Sequence, residues 1–304
     1  IWIIPKGGEA LTFLVGTRGS KLSLAQTNWV ISELKKENEG SEFEIKTITT
    51  KGDTDSRALF TIDQKGIFEK EIDKAVAEKE IDFAVHSLKD IPSDIAESLT
   101  IACIPIRESA NDVIITKDGS NLKTIQSGAV IGTSSLRRAV QVSRIRQDVV
   151  VKPVRGNIET RVNKVTDGKF DAVILAEAGI SRLGLDVKHS ILSTKDFPPS
   201  PGQGALAIVC RADDEKTITM LKKIEDTKSR TEIEAERALS EYVESGCRFP
   251  VGALATSNSN TLKLTVSAYS VDGKKVITLE KTGDIDKPRD LGKDIGEELQ
   301  KTGI

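Results

Sequence analysis

Little in this chain of 304 residues points to a metal, a membrane or a disulfide framework. Cysteine occurs only at Cys103, Cys210 and Cys247, too widely spaced for a disulfide scaffold or a paired-cysteine zinc motif. A reducing, cytoplasmic compartment is the simplest for such a chain. The two histidines, His86 and His189, stand far apart, which argues against a histidine-based metal site. No uncharged apolar run approaches the roughly 18 residues of a membrane span. Ile1-Trp2-Ile3-Ile4 stops at Pro5 and Lys6, too short for the core of a signal peptide. The chain does not begin with Met, which leaves room for residues upstream. An excess of either charge is also missing. Lys plus Arg number 44 and Asp plus Glu 46, a net charge of −2, whereas a general nucleic-acid binder carries a basic excess. There is no internal repeat and no low-complexity stretch.

What is present is ordinary for a globular protein: 38% apolar and 30% charged residues. The length predicts two or three domains. Over the first two-thirds, short β-branched or apolar runs at 43–50, 83–85, 113–116, 130–132, 149–154 and 172–175 read as strands. Phe68, Ile72, Ala75 and Val76 recur at helical spacing, as do Leu136, Ala139 and Val140, then Ile158, Val162 and Val165. This rhythm predicts α/β architecture, a mostly parallel sheet with helices on both faces. Ile104-Pro105-Ile106-Arg107 and Pro198-Pro199-Ser200-Pro201-Gly202 read as crossings, because proline continues neither a helix nor a central strand. An apolar run at 206–209 then re-enters a sheet. Two crossings imply two α/β lobes around a cleft. The last quarter reads as a small α+β domain. It has a helix at about 231–243, a hairpin turning at Asp272-Gly273, and a final helix marked by Leu291, Ile295 and Leu299.

Asp90 lies just past the strand that ends at Val85-His86, where open α/β sheets face their ligands. A carboxylate there serves as acid, base or cation stabiliser. Opening a turn before Pro92 is the plainer role, and this fragment alone favours it. His86, among apolar neighbours, reads as a core histidine. Thr133-Ser134-Ser135 lies between a strand and a helix that opens with Leu136-Arg137-Arg138. Thr and Ser cap helices, and the exposed N–H groups attract anions. Two arginines in a first turn oppose the helix dipole, a cost that an acidic ligand reverses; solvated arginines over a simple cap are the other reading. Arg18, Arg155, Arg161 and Arg182 fall at similar junctions, and guanidinium forks bind carboxylates. Together they point to a polyanionic ligand. Arg144 and Arg146 fit the dipole at the far end of their helix. Gly202-Gln203-Gly204 lacks the further glycine and acidic partner of a nucleotide fingerprint. Asp53-Thr54-Asp55 reads as a solvated loop. Cys103 and Cys210 read as buried hydrophobes. Cys247, beside Gly246 and Arg248, is the one placed to be exposed and nucleophilic, with a structural role equally open.

In combination these stretches resemble the porphobilinogen deaminase family. They are 17–20 (TRGS), 85–92 (VHSLKDIP), 132–138 (GTSSLRR), 155–157 (RGN), 201–205 (PGQGA) and Gly246-Cys247 before Pro250. Each is weak alone; their joint order and spacing are specific from about Val15 to Ala255. The resemblance implies two lobes like those of periplasmic binding proteins, then the C-terminal domain. Its boundaries are 11–105 with 202–224 for the first lobe, 106–201 for the second and 225–304 for the third. It implies a cytoplasmic transferase that joins porphobilinogen units head to tail, losing ammonia each time. The chain grows on a dipyrromethane cofactor held by a thioether to Cys247, and hydroxymethylbilane is released by hydrolysis. Asp90 matches the catalytic carboxylate. Arg18, Arg137, Arg138, Arg155, Arg161 and Arg182 match positions that bind carboxylates of cofactor and substrate. Ser20, Lys89, Thr133, Ser134 and Ser135 match cofactor contacts, and Lys65 a further one. Thr61 stands about where many members have a second lysine, Arg248 where Gln is common, and Ser245 where Gly is common. A monomer, with no nucleic-acid or membrane partner and no metal, is expected. The substrate's acetate and propionate groups give the arginines a purpose, and a thiolate adds readily to an azafulvene carbon. A non-catalytic polycarboxylate-binding protein explains the arginines but needs neither Asp90 nor Cys247. A ligand-sensing regulator needs a basic recognition helix that the sequence lacks.

Overall fold

The computed structural model describes residues 11–50, 69–246 and 249–302. Residues 1–10, Asp53 to Asp55, Thr61, Lys65, Phe68, Cys247 and Arg248 lie outside them.

The first lobe comprises β1 (Leu11–Thr17), α1 (Lys21–Glu37), β2 (Ser41–Thr47), α2 (Lys70–Ala77), β3 (Phe83–Ser87) and β4 (Leu99–Cys103), joined later by β10 (Leu206–Arg211) and α6 (Glu215–Leu221). Its sheet runs in the order β2-β1-β3-β10-β4. The central strands are buried on both faces, which is why they read as unbroken apolar runs. Phe83, Val85 and Ile208 meet Val30 and Leu34 of α1 on one side. Ala84 and Val209 meet Ile72 and Val76 of α2 on the other, the alternation a pleated strand imposes.

The second lobe comprises β5 (Asp112–Thr116), β6 (Val130–Gly132), α3 (Leu136–Ile145), β7 (Val150–Lys152), α4 (Ile158–Thr166), β8 (Ala172–Ala176), α5 (Glu177–Leu183) and β9 (Ser190–Leu192), in sheet order β7-β6-β8-β5-β9. In each sheet four of the five strands run in the same direction, as expected, and one is reversed. In the first, β1 pairs parallel with β2 and β3, but β10 runs antiparallel to β3 and β4. In the second, β6 pairs parallel with β7 and β8, but β5 runs antiparallel to β8 and β9. The reversed strands are the two that follow the crossings. Each begins beside the end of a parallel neighbour: Leu206 lies opposite Ser87, and Asp112 opposite Ala176.

The C-terminal domain packs α7 (Thr227–Gly246) and α8 (Pro288–Lys301) on an antiparallel sheet of β11 (Val251–Ser257), β12 (Thr261–Tyr269) and β13 (Val276–Asp284). Leu262, Leu264 and Val266 alternate inward and are fully buried. The hairpin turns through Gly273 at φ +69°. α7 starts before the periodic apolar residues because Asp226 caps it, accepting from the Ser229 amide at 2.7 Å.

The outer edge of β11 is closed by the rest of the molecule. Ala253 N–H donates to the Pro199 carbonyl, Ala255 N–H to Glu236 and Ser257 N–H to Glu232, each at 2.8 Å. Glu236 is fully buried and also receives Arg107 at 2.8 and 3.1 Å and the Gly202 amide at 2.6 Å. One carboxylate therefore ties both crossings to the C-terminal domain. Among the described residues, no helix is long and apolar enough to cross a membrane.

Candidate active site

The ends of the parallel strands converge on a cavity of about 570 Å³ between the lobes, a size that suits a small-molecule ligand. β1 delivers Arg18 and Ser20, β3 delivers Lys89 and Asp90, and the segment after β7 delivers Arg155. α4 and α5 carry Arg161 and Arg182, and α3 carries Arg138. Five arginines, with Lys21 and Lys89, face the cavity, against the carboxylates Asp90 and Glu159. Such a surplus of positive charge suits a ligand with several carboxylates.

Ser20 is the N-cap of α1, accepting from the Ser23 amide at 3.2 Å. Asp90 ends a 3-10 turn, Leu88–Asp90, pinned where Leu88 N–H donates to Ala205 O at 3.0 Å. Lys89 keeps surface toward the cavity, but protein encloses it elsewhere. That burial, with Arg138 beside it, lowers its ammonium to about 8. Burial likewise lowers Arg182 to about 10, and it lowers Arg161 with help from Arg138. Arg182 donates to Gly204 O at 2.7 Å and Arg161 to Gly156 O at 2.8 Å.

Behind this wall sits a buried ionic cluster. Asp112, at the first residue of β5, is fully buried. It accepts from Arg137 at 2.8 Å and from Arg138 at 3.0 and 2.7 Å. Burial pushes its carboxyl up, but Arg138 and then Arg137 outweigh that and hold it at about 2. The misplaced first-turn arginines of α3 thus find their anion within the chain. Arg138 still reaches the cavity, whereas Arg137 does not line it; its other hand holds Pro198 O at 2.7 Å. Thr133, Ser134 and Ser135 do not line it either. Ser134 Oγ donates to Val154 O at 2.6 Å, Thr133 Oγ1 accepts from Ser135 N, and Ser135 caps α3. Their hydrogen bonds brace the turn that aims Arg138.

Sequence reasoning gave no site role to four polar lining residues. Lys21 and Glu159 pair across the cleft at 2.9 Å. Gln26 donates to Ser87 Oγ at 2.9 Å. A glutamine within the buried stripe of α1 was the available signal for this pair; nothing local marks Lys21 or Glu159. His86 is buried away from the cavity, its Nε2 3.2 Å from Asp73. Cys103 and Cys210 are buried. Burial pushes both thiols up, Cys210 to about 12.

Two family models match the chain: "Porphobilinogen deaminase, dipyromethane cofactor binding domain" over residues 13–219 and "Porphobilinogen deaminase, C-terminal domain" over residues 230–301. The chain belongs to the porphobilinogen deaminase family. Among similar proteins, a probable porphobilinogen deaminase of Nitrosopumilus maritimus is 67% identical, covering 97% of this chain and 94% of the relative. The porphobilinogen deaminase of Brevibacillus brevis is 44% identical over 95% and 94%. A solved extracellular-binding protein of a probable amino-acid ABC transporter from Bacillus subtilis is 12% identical, covering 71% of this chain and 90% of that one, with a TM-score of 0.40. As a member of that family, the chain is an enzyme, a transferase of tetrapyrrole biosynthesis with a dipyrromethane-binding domain. The cavity's donor set fits that cofactor: guanidinium and ammonium groups for its acidic substituents and one carboxylate, Asp90, for its pyrrole N–H groups.

Proposed function

We propose that Asp90 is the catalytic carboxylate of hydroxymethylbilane synthesis and that the cations of the cleft hold the acidic pyrroles against it. The observation that carries this is the presence of Asp90 in one cavity with five arginines and two lysines. Arg18, Arg138, Arg155, Arg161 and Arg182 bind acetate and propionate groups, with Ser20 and Lys89 supplying further donors; Lys65, outside the described residues, is a further contact by its match to the family. Thr133, Ser134, Ser135 and Arg137 act by bracing Arg138. When bound through a thioether to Cys247, the dipyrromethane supplies the pyrrole carbon to which the first porphobilinogen joins. Asp90 stabilises the positive charge that develops on a substrate pyrrole as ammonia leaves, and it then carries away the proton released when the new carbon–carbon bond forms. The cations orient the reacting rings and keep the lengthening product bound until hydrolysis frees it.

The same reading assigns residues 11–105 with 202–224 to the first lobe, 106–201 to the second and 225–304 to the third. Each holds one of the three sheets. The enzyme works as a monomer in the cytoplasm on a small-molecule substrate, without a nucleic-acid or membrane partner. The near-neutral net charge of −2 supports the lack of a nucleic-acid partner.

Asp90→Ala is expected to fold and to retain the cofactor's mass on the intact chain, while turnover of porphobilinogen falls by at least about 100-fold. Near-normal turnover removes Asp90 from the mechanism. Intact-mass measurement is expected to show the cofactor on the native chain and none on Cys247→Ala. An unmodified chain with full activity refutes the attachment.

A further inference from the structure

The Gly202-Gln203-Gly204 segment is no nucleotide fingerprint, but its middle side chain is wired into the active site. Gln203 is fully buried. Its amide Nε2 donates to Asp112 Oδ1 at 2.9 Å and to Ala110 O at 2.8 Å. Both acceptors lack protons to give, so the amide can sit only one way round. That leaves Oε1 aimed at Lys89 Nζ and Arg138 Nη2, both 3.3 Å away. The backbone is fixed as well. Gly202 and Gly204 adopt φ of +74° and +86°. A side chain at 202 would strike Leu88, and one at 204 would strike the carbonyls of Glu108 and Ser109. Gln203 O accepts from Arg107 Nε at 2.9 Å.

We infer that Gln203 is a positioning residue for the reaction: it orients Lys89 and Arg138 toward the carboxylates of the bound pyrroles and links that orientation to both crossings. This rests on the reading that Lys89 and Arg138 hold those carboxylates. The carbonyl of Gln203 favours the charged form of Lys89, as do Asp90 on its own turn and Asp112 on β5. Arg138 and Arg137 on α3 oppose it, and the cavity arginines Arg18, Arg155, Arg161 and Arg182 face the same space. Removing the carbonyl therefore lets Lys89 lose its proton at lower pH.

The test compares holoenzyme carrying Gln203→Met, Gln203→Glu or Lys89→Met with the parent across pH, after thermal unfolding has confirmed folding. Gln203→Met is expected to lower kcat/KM at least about tenfold, the size of a lost hydrogen bond to a charged group. Its alkaline limb should move to lower pH; Gln203→Glu should move that limb to higher pH. Superimposable profiles for both Gln203 variants, beside a Lys89→Met that loses activity, overturn the role of Gln203 alone. A Lys89→Met indistinguishable from the parent overturns the reading of Lys89 beneath it, and the inference with it. If the Gln203 variants do not fold, a crystal structure of the holoenzyme decides: a Gln203 carbonyl turned away from Lys89 and Arg138 overturns the proposal, and one facing both supports it.

Discussion

Asp112 shows how a sequence signal can be sound while its most visible partner lies elsewhere. Two arginines at the positive end of a helix demand an anion, and the nearest is a carboxylate 25 and 26 positions away in sequence. No local pattern reveals that pairing, so the sequence suggests a ligand or solvated arginines over a simple cap. The pair is buried, and breaking a buried pair leaves charge uncompensated. Asp112→Asn is therefore expected to cost about 3–5 kcal/mol in urea unfolding at neutral pH. The sign of the pH effect follows from the depressed pKa. The carboxyl sits at about 2 when folded and near 3.9 when unfolded. Its stabilisation is present above the unfolded value and is lost as pH falls toward 2. Unfolding measured between pH 5 and 2 should show the parent losing about 2 kcal/mol more than Asp112→Asn over this window.

At the scale of elements, runs such as 113–116 and 206–209 mark strands plainly, but pairing direction is invisible in them. Apolar runs buried on both faces look alike whether they run parallel or antiparallel, so β5 and β10 emerge reversed only in three dimensions. α1 is hidden for a different reason. Its buried stripe contains Gln26 and Thr27 beside Val30, Ile31 and Leu34, which blurs the apolar period. By contrast, the strand ends that supply Arg18, Asp90 and Arg155 were legible, because each couples an apolar run to a charged residue, whereas Arg182 lies in the last turn of α5. The turn into β10 has little tolerance. Gly204→Ala combines a left-handed backbone with carbonyls where the methyl would go, and should destabilise the enzyme by about 1–3 kcal/mol or more in thermal unfolding.

Across the molecule, two ion pairs among the described residues join separate parts, and burial decides which matters. Lys21–Glu159 spans the lobes with side chains 72% and 31% exposed. Lys21→Met should change unfolding stability by no more than about 1 kcal/mol. Arg107–Glu236 joins the first crossing to the C-terminal domain at 7% and 0% exposure. Glu236→Ala strips Arg107, the Gly202 amide and the Ala255 amide of their acceptor at once. A loss of about 3–5 kcal/mol is expected, with denaturant unfolding split so that the C-terminal domain melts apart from the lobes. A single unsplit transition at parental stability would deny Glu236 its linking role.

The reversal of β5 and β10 has a mechanical consequence. Because β10 starts next to Ala205, which lines the cavity, and β5 starts at Asp112 just behind its wall, the two chain passages between lobes form a fulcrum on that side of the cavity. Any swing of one lobe against the other displaces the far rim most and that side least. Such a swing would widen the mouth for a longer ligand and change the spacing beside the passages, at Gly204 and Ala205, least.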